Sequence, residues 1–273
     1  MNSFPLLDKV ETPMIIGMIH VPALPGTPRH QRTLASLLTL VVEEANIYAE
    51  AGVDAIMIEN MHDIPYVQPP IDPVVIACMT AVATAIKAKV SLPLGIQILA
   101  GANKEALAVA KAASLDFIRA EGFVFAHMGD EGFMQASAGE LLRYRKYIEA
   151  EGVRVLTDIK KKHSSHAITQ DLSIVETAKA AQFFLSDGVI ITGSETGNAA
   201  SLEEIEAVKR EVDMPVFVGS GITLDNVEVY LPITDGLIIG SYFKEKGYWG
   251  NPLSQKRVHT FMRKVKNWRN RRL

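Results

Sequence analysis

A single cysteine, Cys78, stands among the 273 residues, so no internal disulfide can form and a reducing compartment suits the chain. Cys78 lies in the apolar run 74–79, where a packed thiol is expected rather than a nucleophile. No apolar stretch reaches the length of a membrane span, which predicts no integral membrane contact. The first eleven residues have neither a cationic segment nor an apolar core, so no secretory signal is read there, and the arginine-rich pattern of a transit peptide is missing too. These absences point to the cytoplasm and leave an organellar address open. Excess positive charge is also lacking. With 28 Lys+Arg against 31 Asp+Glu the formal charge is −3, which argues against nucleic acid as the main partner. A homo-oligomer is compatible with this composition.

Two motifs that would fix the chemistry are absent. No GxGxxG follows the first strand, which counts against an open dinucleotide-binding sheet, and no HExxH supplies a local metal site. What is present is alternation. Apolar runs of strand length fall at 14–20, 55–60, 94–99, 117–124, 154–160, 188–193, 216–221 and 237–241. Segments of helical period occupy 33–51, 73–90, 104–113, 138–151, 171–183, 201–212, 224–230 and 254–268. Ser201 with Glu204 reads as a capping box, and Gly52 and Gly152 read as helix stops. Eight strand–helix units without a linker predict one α/β domain over 1–273, a single (β/α)8 TIM barrel of about the usual length, with right-handed crossovers.

The last two strands end in glycine and serine: Val218-Gly219-Ser220-Gly221 and Ile239-Gly240-Ser241. In such barrels the loops after strands seven and eight bind phosphate, because bare backbone approaches the anion and presents N–H donors. Gly219, Ser220, Gly221, Gly240 and Ser241 are therefore the expected phosphate-binding residues, and a phosphorylated small molecule is the expected partner.

Chemistry in these barrels sits at the C-terminal strand ends, and alternation assigns which side chains face inward. The parity nominates His20, Glu59, Gln97, Arg119 with Glu121, Asp158 with Lys160, and Thr192 followed by Ser194. Charges at inward positions of apolar strands are costly unless paired or facing a ligand. A structural ion network would join Arg119 to Glu121 or Glu59, and Lys160 to Asp158. A ligand pocket instead gives Glu59, Glu121, Asp158 and Lys160 catalytic work and gives His20, Gln97, Arg119 and Thr192 substrate contacts. Three mechanisms fit: a Schiff base on Lys160, acid–base catalysis by Glu59 and Asp158, or a divalent cation held by His20, Glu59, Glu121 and Asp158. Acid–base chemistry requires the fewest assumptions. The proline-stiffened loop 20–28 is expected to wall the pocket, and the run 160–166 to form a cationic lid. The basic end 263–273 reads as the solvated, frayed end of the last helix; around Trp268 it would alternatively suit an anionic lipid surface.

Across nearly its full length the chain resembles the BtpA family. The matching segments are Gly17-Met18-Ile19-His20-Val21-Pro22-Ala23-Leu24-Pro25-Gly26, Gly52-Val53-Asp54-Ala55-Ile56-Met57-Ile58-Glu59-Asn60, Thr192-Gly193-Ser194-Glu195-Thr196-Gly197 and Gly240-Ser241-Tyr242-Phe243-Lys244, the last followed by Gly247-Tyr248-Trp249-Gly250-Asn251-Pro252. The resemblance implies a phosphate-binding (β/α)8 fold. It also carries two associations, sugar-utilisation operons in bacterial members and photosystem I biogenesis in cyanobacterial ones. It assigns no catalytic residue. The two functional expectations are an enzyme acting on a phosphorylated sugar or nucleoside derivative, as isomerase, lyase or glycosidic-bond-cleaving enzyme, and a non-catalytic assembly factor at a membrane periphery.

Overall fold

The computed structural model describes residues 12–193 and 199–272; Ser194 and the segment after it, named above, lie outside the described residues. Eight strands are hydrogen-bonded in chain order into a closed barrel: β1 Met14–His20, β2 Ala55–Glu59, β3 Leu94–Gln97, β4 Phe117–Ala120, β5 Arg154–Ile159, β6 Gly188–Thr192, β7 Val216–Gly219 and β8 Gly236–Ile239. Every neighbouring pair is parallel, and β8 closes on β1 through Met14↔Gly236 to Gly17↔Ile239. The helices are α1 Leu34–Ala51, α2 Pro73–Lys87, α3 Asn103–Ala112, α4 Ala138–Tyr147, α5 Ile174–Phe183, α6 Leu202–Glu211, α7 Val227–Tyr230 and α8 Gln255–Asn270.

Alternation along the strands creates two cores. Outward residues such as Ile15, Ile56, Ile96, Ile118 and Val155 pack against the helices. Inward residues Met14, Ile16, Met18, Met57, Phe117, Leu156, Ile190, Phe217 and Ile238 fill the barrel. The fit is close enough to dictate glycine at one point, since a Cβ on Gly95 would lie 2.2 Å from the Phe117 ring. Cys78 is buried in the outer core, as its apolar run requires.

Local signals mostly sit where expected, with two corrections. Gly52 ends α1 at φ 79°. Ser201 caps Glu204, but the reciprocal box forms at Ser173 and Glu176 instead. Gly152 is not the stop of α4; that helix ends at Tyr147, and Glu149 takes the left-handed conformation at φ 55°. A three-stranded antiparallel sheet (His127–Gly129, Gly132–Met134 and Ser164–Ser165) joins the loop after β4 to the loop after β5.

At the N-terminal end of the barrel one device occurs four times. The aspartate just before each even strand accepts the amide of the preceding odd strand and an ion pair from an even helix. Asp54 takes Ile15 N and Arg269; Asp116 takes Leu94 N and Lys87; Asp187 takes Val155 N and Arg145; Asp235 takes Val216 N and Lys209. The first of these corrects the reading of the tail. Arg263, Lys266, Arg271 and Arg272 are exposed, as a solvated face requires, but the end is not frayed at its core side: Trp268 is 7% exposed and Arg269 bonds both Asp54 and the Pro13 carbonyl. Among the described residues no helix is long and apolar enough to cross a membrane.

Candidate functional site

A cavity of about 350 Å³ opens at the C-terminal mouth of the barrel. His20, Glu59, Gln97, Arg119 and Glu121 line it from β1 to β4, and Gly219, Ser220, Gly240 and Ser241 from β7 and β8. The two groups nominated separately, inward charges and glycine-rich strand ends, thus share one space. Gly221 and Thr192 do not line it, although the Thr192 hydroxyl accepts from Lys162 N at 3.3 Å beside it.

The charges divide by partner. Arg119 grips Asp158 with two bonds, Nε to Oδ2 at 2.9 Å and Nη2 to Oδ1 at 2.8 Å. Burial works against the guanidinium, but Asp158 outweighs it and holds the group ionised. Glu121 accepts from Gln97 at 3.1 Å and from Gly101 N at 2.9 Å, and pairs with Lys161 at 3.0 Å. Two carboxylates nominated for chemistry are therefore occupied in holding the wall. The ion pairs that do form, Arg119–Asp158 and Lys161–Glu121, replace those expected from Arg119 with Glu121 or Glu59 and from Lys160 with Asp158.

Glu59 differs. It is buried, lines the cavity and has no hydrogen-bond or ion-pair partner among the described residues. Burial raises its pKa, with the charges of Arg119 and Lys162 acting against that rise. A buried carboxyl whose pKa is raised and which is open to a ligand suits proton transfer.

Lys160 departs from its assignment. Strand β5 ends at Ile159, and Lys160 adopts φ 47°, so strand parity stops one residue before it. Its ammonium donates to the Thr169 carbonyl at 2.8 Å and lines a minor recess with Asp158, His127 and His166. The chain then turns back over the mouth, bringing Lys161, Lys162 and His163 to the main cavity. Lys162 donates to Ser220 Oγ at 2.6 Å, and burial, followed by the nearby Arg119, lowers its pKa to about 8. The cationic lid is thus present, with its cation at the glycine-rich strand ends. Beyond His20 the 20–28 loop does not line the cavity: Leu24 N and the Thr27 hydroxyl bind Asp63 instead.

Parity also could not find Trp249, Tyr66 or Glu131, which line the cavity from loops. Glu131 sits in the two-residue turn Asp130-Glu131 between Gly129 and Gly132, a glycine-flanked hairpin signal readable in the sequence. The divalent-cation reading is not supported by the arrangement. Asp158 is taken by Arg119 and Glu121 by its three donors, and among the described residues no three His, Cys, Asp or Glu side chains gather as ligands.

His20 donates from Nδ1 to the Trp249 carbonyl at 3.1 Å, and its ring meets the indole edge-on. Burial, reinforced by Lys244, pushes its pKa down to about 3. Between pH 6.5 and about 3 the unfolded chain therefore binds a proton that the folded chain refuses, so stability falls as pH drops through that window. The expected slope is about 1.4 kcal/mol per pH unit from this group. Urea titrations across pH 7 to 4 on wild type and His20→Gln check it; parallel losses in both would remove His20 as the cause.

The chain matches the BtpA family over residues 11–267. A mitochondrial protein of Caenorhabditis elegans is 48% identical over 93% of both chains. The photosystem I biogenesis protein BtpA of Synechocystis is 32% identical over 91% of this chain and 86% of its own. In structure, phosphoribosyl anthranilate isomerase from Thermus thermophilus superposes with a TM-score of 0.58, covering 93% of this chain and all of that one, at 13% identity; the likeness is one of fold. The protein is a (β/α)8 barrel that belongs to the BtpA family.

Proposed function

We propose that this protein is an enzyme acting on a small phosphorylated metabolite, a sugar or nucleoside derivative, by acid–base chemistry at the barrel mouth. The observation that carries the reading is Glu59, a buried carboxyl without a partner among the described residues, in the same cavity as Lys162 and two glycine-rich strand ends. Gly219, Ser220, Gly240 and Ser241 present backbone to the phosphate, and Lys162 supplies the countercharge. Arg119, locked by Asp158, fixes a second positive charge, and Glu59 moves the proton. Isomerisation, elimination and glycosidic cleavage all use such a group. Lys162 replaces Lys160 as the lysine available to a carbonyl. The assembly-factor alternative loses its main support, because Trp268 is spent on the core and is not available to lipid.

Binding of methyl phosphate, followed by calorimetry and thermal shift, tests the phosphate subsite. A Cβ at Gly240 would lie 3.0 Å from His20 Nε2, so a side chain there would crowd His20 and take up the open space beside it. Gly240→Asp should abolish binding by filling the space and opposing the charge. Undiminished binding in a folded Gly240→Asp variant would place the anion elsewhere. Affinity should also be about tenfold weaker at pH 9 than at pH 7, since the ammonium of Lys162 discharges through about 8 while the ester stays a dianion.

A further inference from the structure

The cavity contains a second acceptor without a partner among the described residues, next to the first. Strands β1 and β2 are in register with His20 opposite Glu59, both pointing inward at the mouth. Neighbouring strands lie about 4.8 Å apart. The tautomer of His20 follows from its bond: a backbone carbonyl can only accept, so with the buried ring neutral the proton sits on Nδ1, toward Trp249. Nε2 is left with a lone pair, and it has no protein donor among the described residues. Gly240 leaves the space beside that nitrogen open. Glu59, as a carboxylate, is acceptor-only as well. Two adjacent acceptors in a buried site are satisfied by two donors carried on one ligand.

We propose that His20 Nε2 and the Glu59 carboxylate form a paired acceptor for two hydroxyls on adjacent carbons, so that the substrate is the phosphate ester of a vicinal diol. The inference rests on the phosphate-subsite reading and narrows it. The cations, Lys162 and Arg119, meet the phosphate; the acceptors, on β1 and β2 beside β8 and its Gly240, read the diol. A phosphate ester without free hydroxyls leaves both acceptors unpaired in a buried site, which costs it affinity. Glu59, already placed to move a proton, would then stand on a hydroxyl oxygen and its attached carbon. His20 is a positioning residue that fixes which hydroxyl Glu59 meets.

The test compares ribose 5-phosphate with 2-deoxyribose 5-phosphate by calorimetry on the full chain, with methyl phosphate measured in parallel. Wild type should prefer the diol at least tenfold. The ratio should fall toward one in His20→Phe, which keeps a ring but removes the lone pair, and partly recover in His20→Gln, which returns an acceptor oxygen. Glu59→Leu, which removes both acceptor oxygens, should lower it too, and unfolding midpoints confirm that each variant is folded. Methyl phosphate binding with equal affinity for the two sugars would overturn the diol inference and leave the phosphate subsite standing. Failure of all three ligands to bind would overturn both. A ratio that stays high in a folded His20→Phe variant would show that another residue reads the hydroxyl.

Discussion

Arg119→Ala is expected to destabilise the protein by about 3–5 kcal/mol, because it leaves Asp158 charged and alone inside the barrel. The Asp158 side chain has no solvent exposure, and both its oxygens are spent on Arg119. For a chain of this size the loss corresponds to a fall in Tm of about 10 °C. The reverse variant, Asp158→Asn, strands the guanidinium and should cost nearly as much. Removing the two charges together is different. Arg119→Met with Asp158→Leu replaces the pair by apolar volume, an exchange that is often neutral in stability. The double variant should therefore recover most of the loss, while binding of a phosphate ester stays impaired because Arg119 lines the cavity. Thermal unfolding of the three variants decides the point. A fall of under 2 °C in Arg119→Ala would mean the pair is worth no more than an exposed one.

Truncation before Trp268 should cost at least as much. The indole is buried among the outer-core residues, so Trp268→Ala alone is expected to lose about 3–5 kcal/mol. Deleting 268–273 also releases Asp54, whose carboxylate then faces only Ile15 N, and frees the Pro13 carbonyl. Urea unfolding of Trp268→Ala and of the deletion separates packing from the ion pair. Wild-type midpoints in the deletion would restore the picture of a frayed end. Stability falling in the deletion no further than in Trp268→Ala would make the Arg269 contact expendable.

How much of this was legible follows from how local each signal is. Strand parity is a property of a few consecutive residues, so it placed His20, Glu59, Gln97 and Arg119 correctly toward the interior. It fails where the strand ends. Lys160 shares inward parity with Asp158, but its positive φ breaks the extended backbone, and the lysine that reaches the cavity is Lys162. The glycine-rich strand ends were readable because close backbone approach demands glycine. Pairing was not readable: the bond from Arg119 to Asp158 depends on the register of β4 with β5, which no local pattern encodes. The tail misled for a related reason. A tryptophan among basic residues has the composition of a lipid-facing surface, and only the packing of α8 shows the indole turned inward with Arg269 bound below it. Sheet strands of two and three residues, such as Ser164–Ser165, are too short to carry a period at all.

The four aspartate clasps divide the barrel into quarters, each a helix, a strand, a helix and a strand held by one carboxylate. Three of them are contiguous in the chain, with clasp partners 29, 42 and 26 residues apart. The fourth unites α8 with β1, α1 and β2, and its partners are 215 residues apart. Closing that longer loop costs about 2 kcal/mol more in chain entropy than closing one of the short ones. Three quarters are therefore held by clasps local in sequence, while the fourth needs the two ends of the described chain to meet. Glu59 and His20, the two acceptors of the site, both stand on that fourth quarter. The acceptor side of the cavity is thus tied to the one clasp that joins the two ends of the chain, while its cations and glycine-rich strand ends stand on the three local quarters.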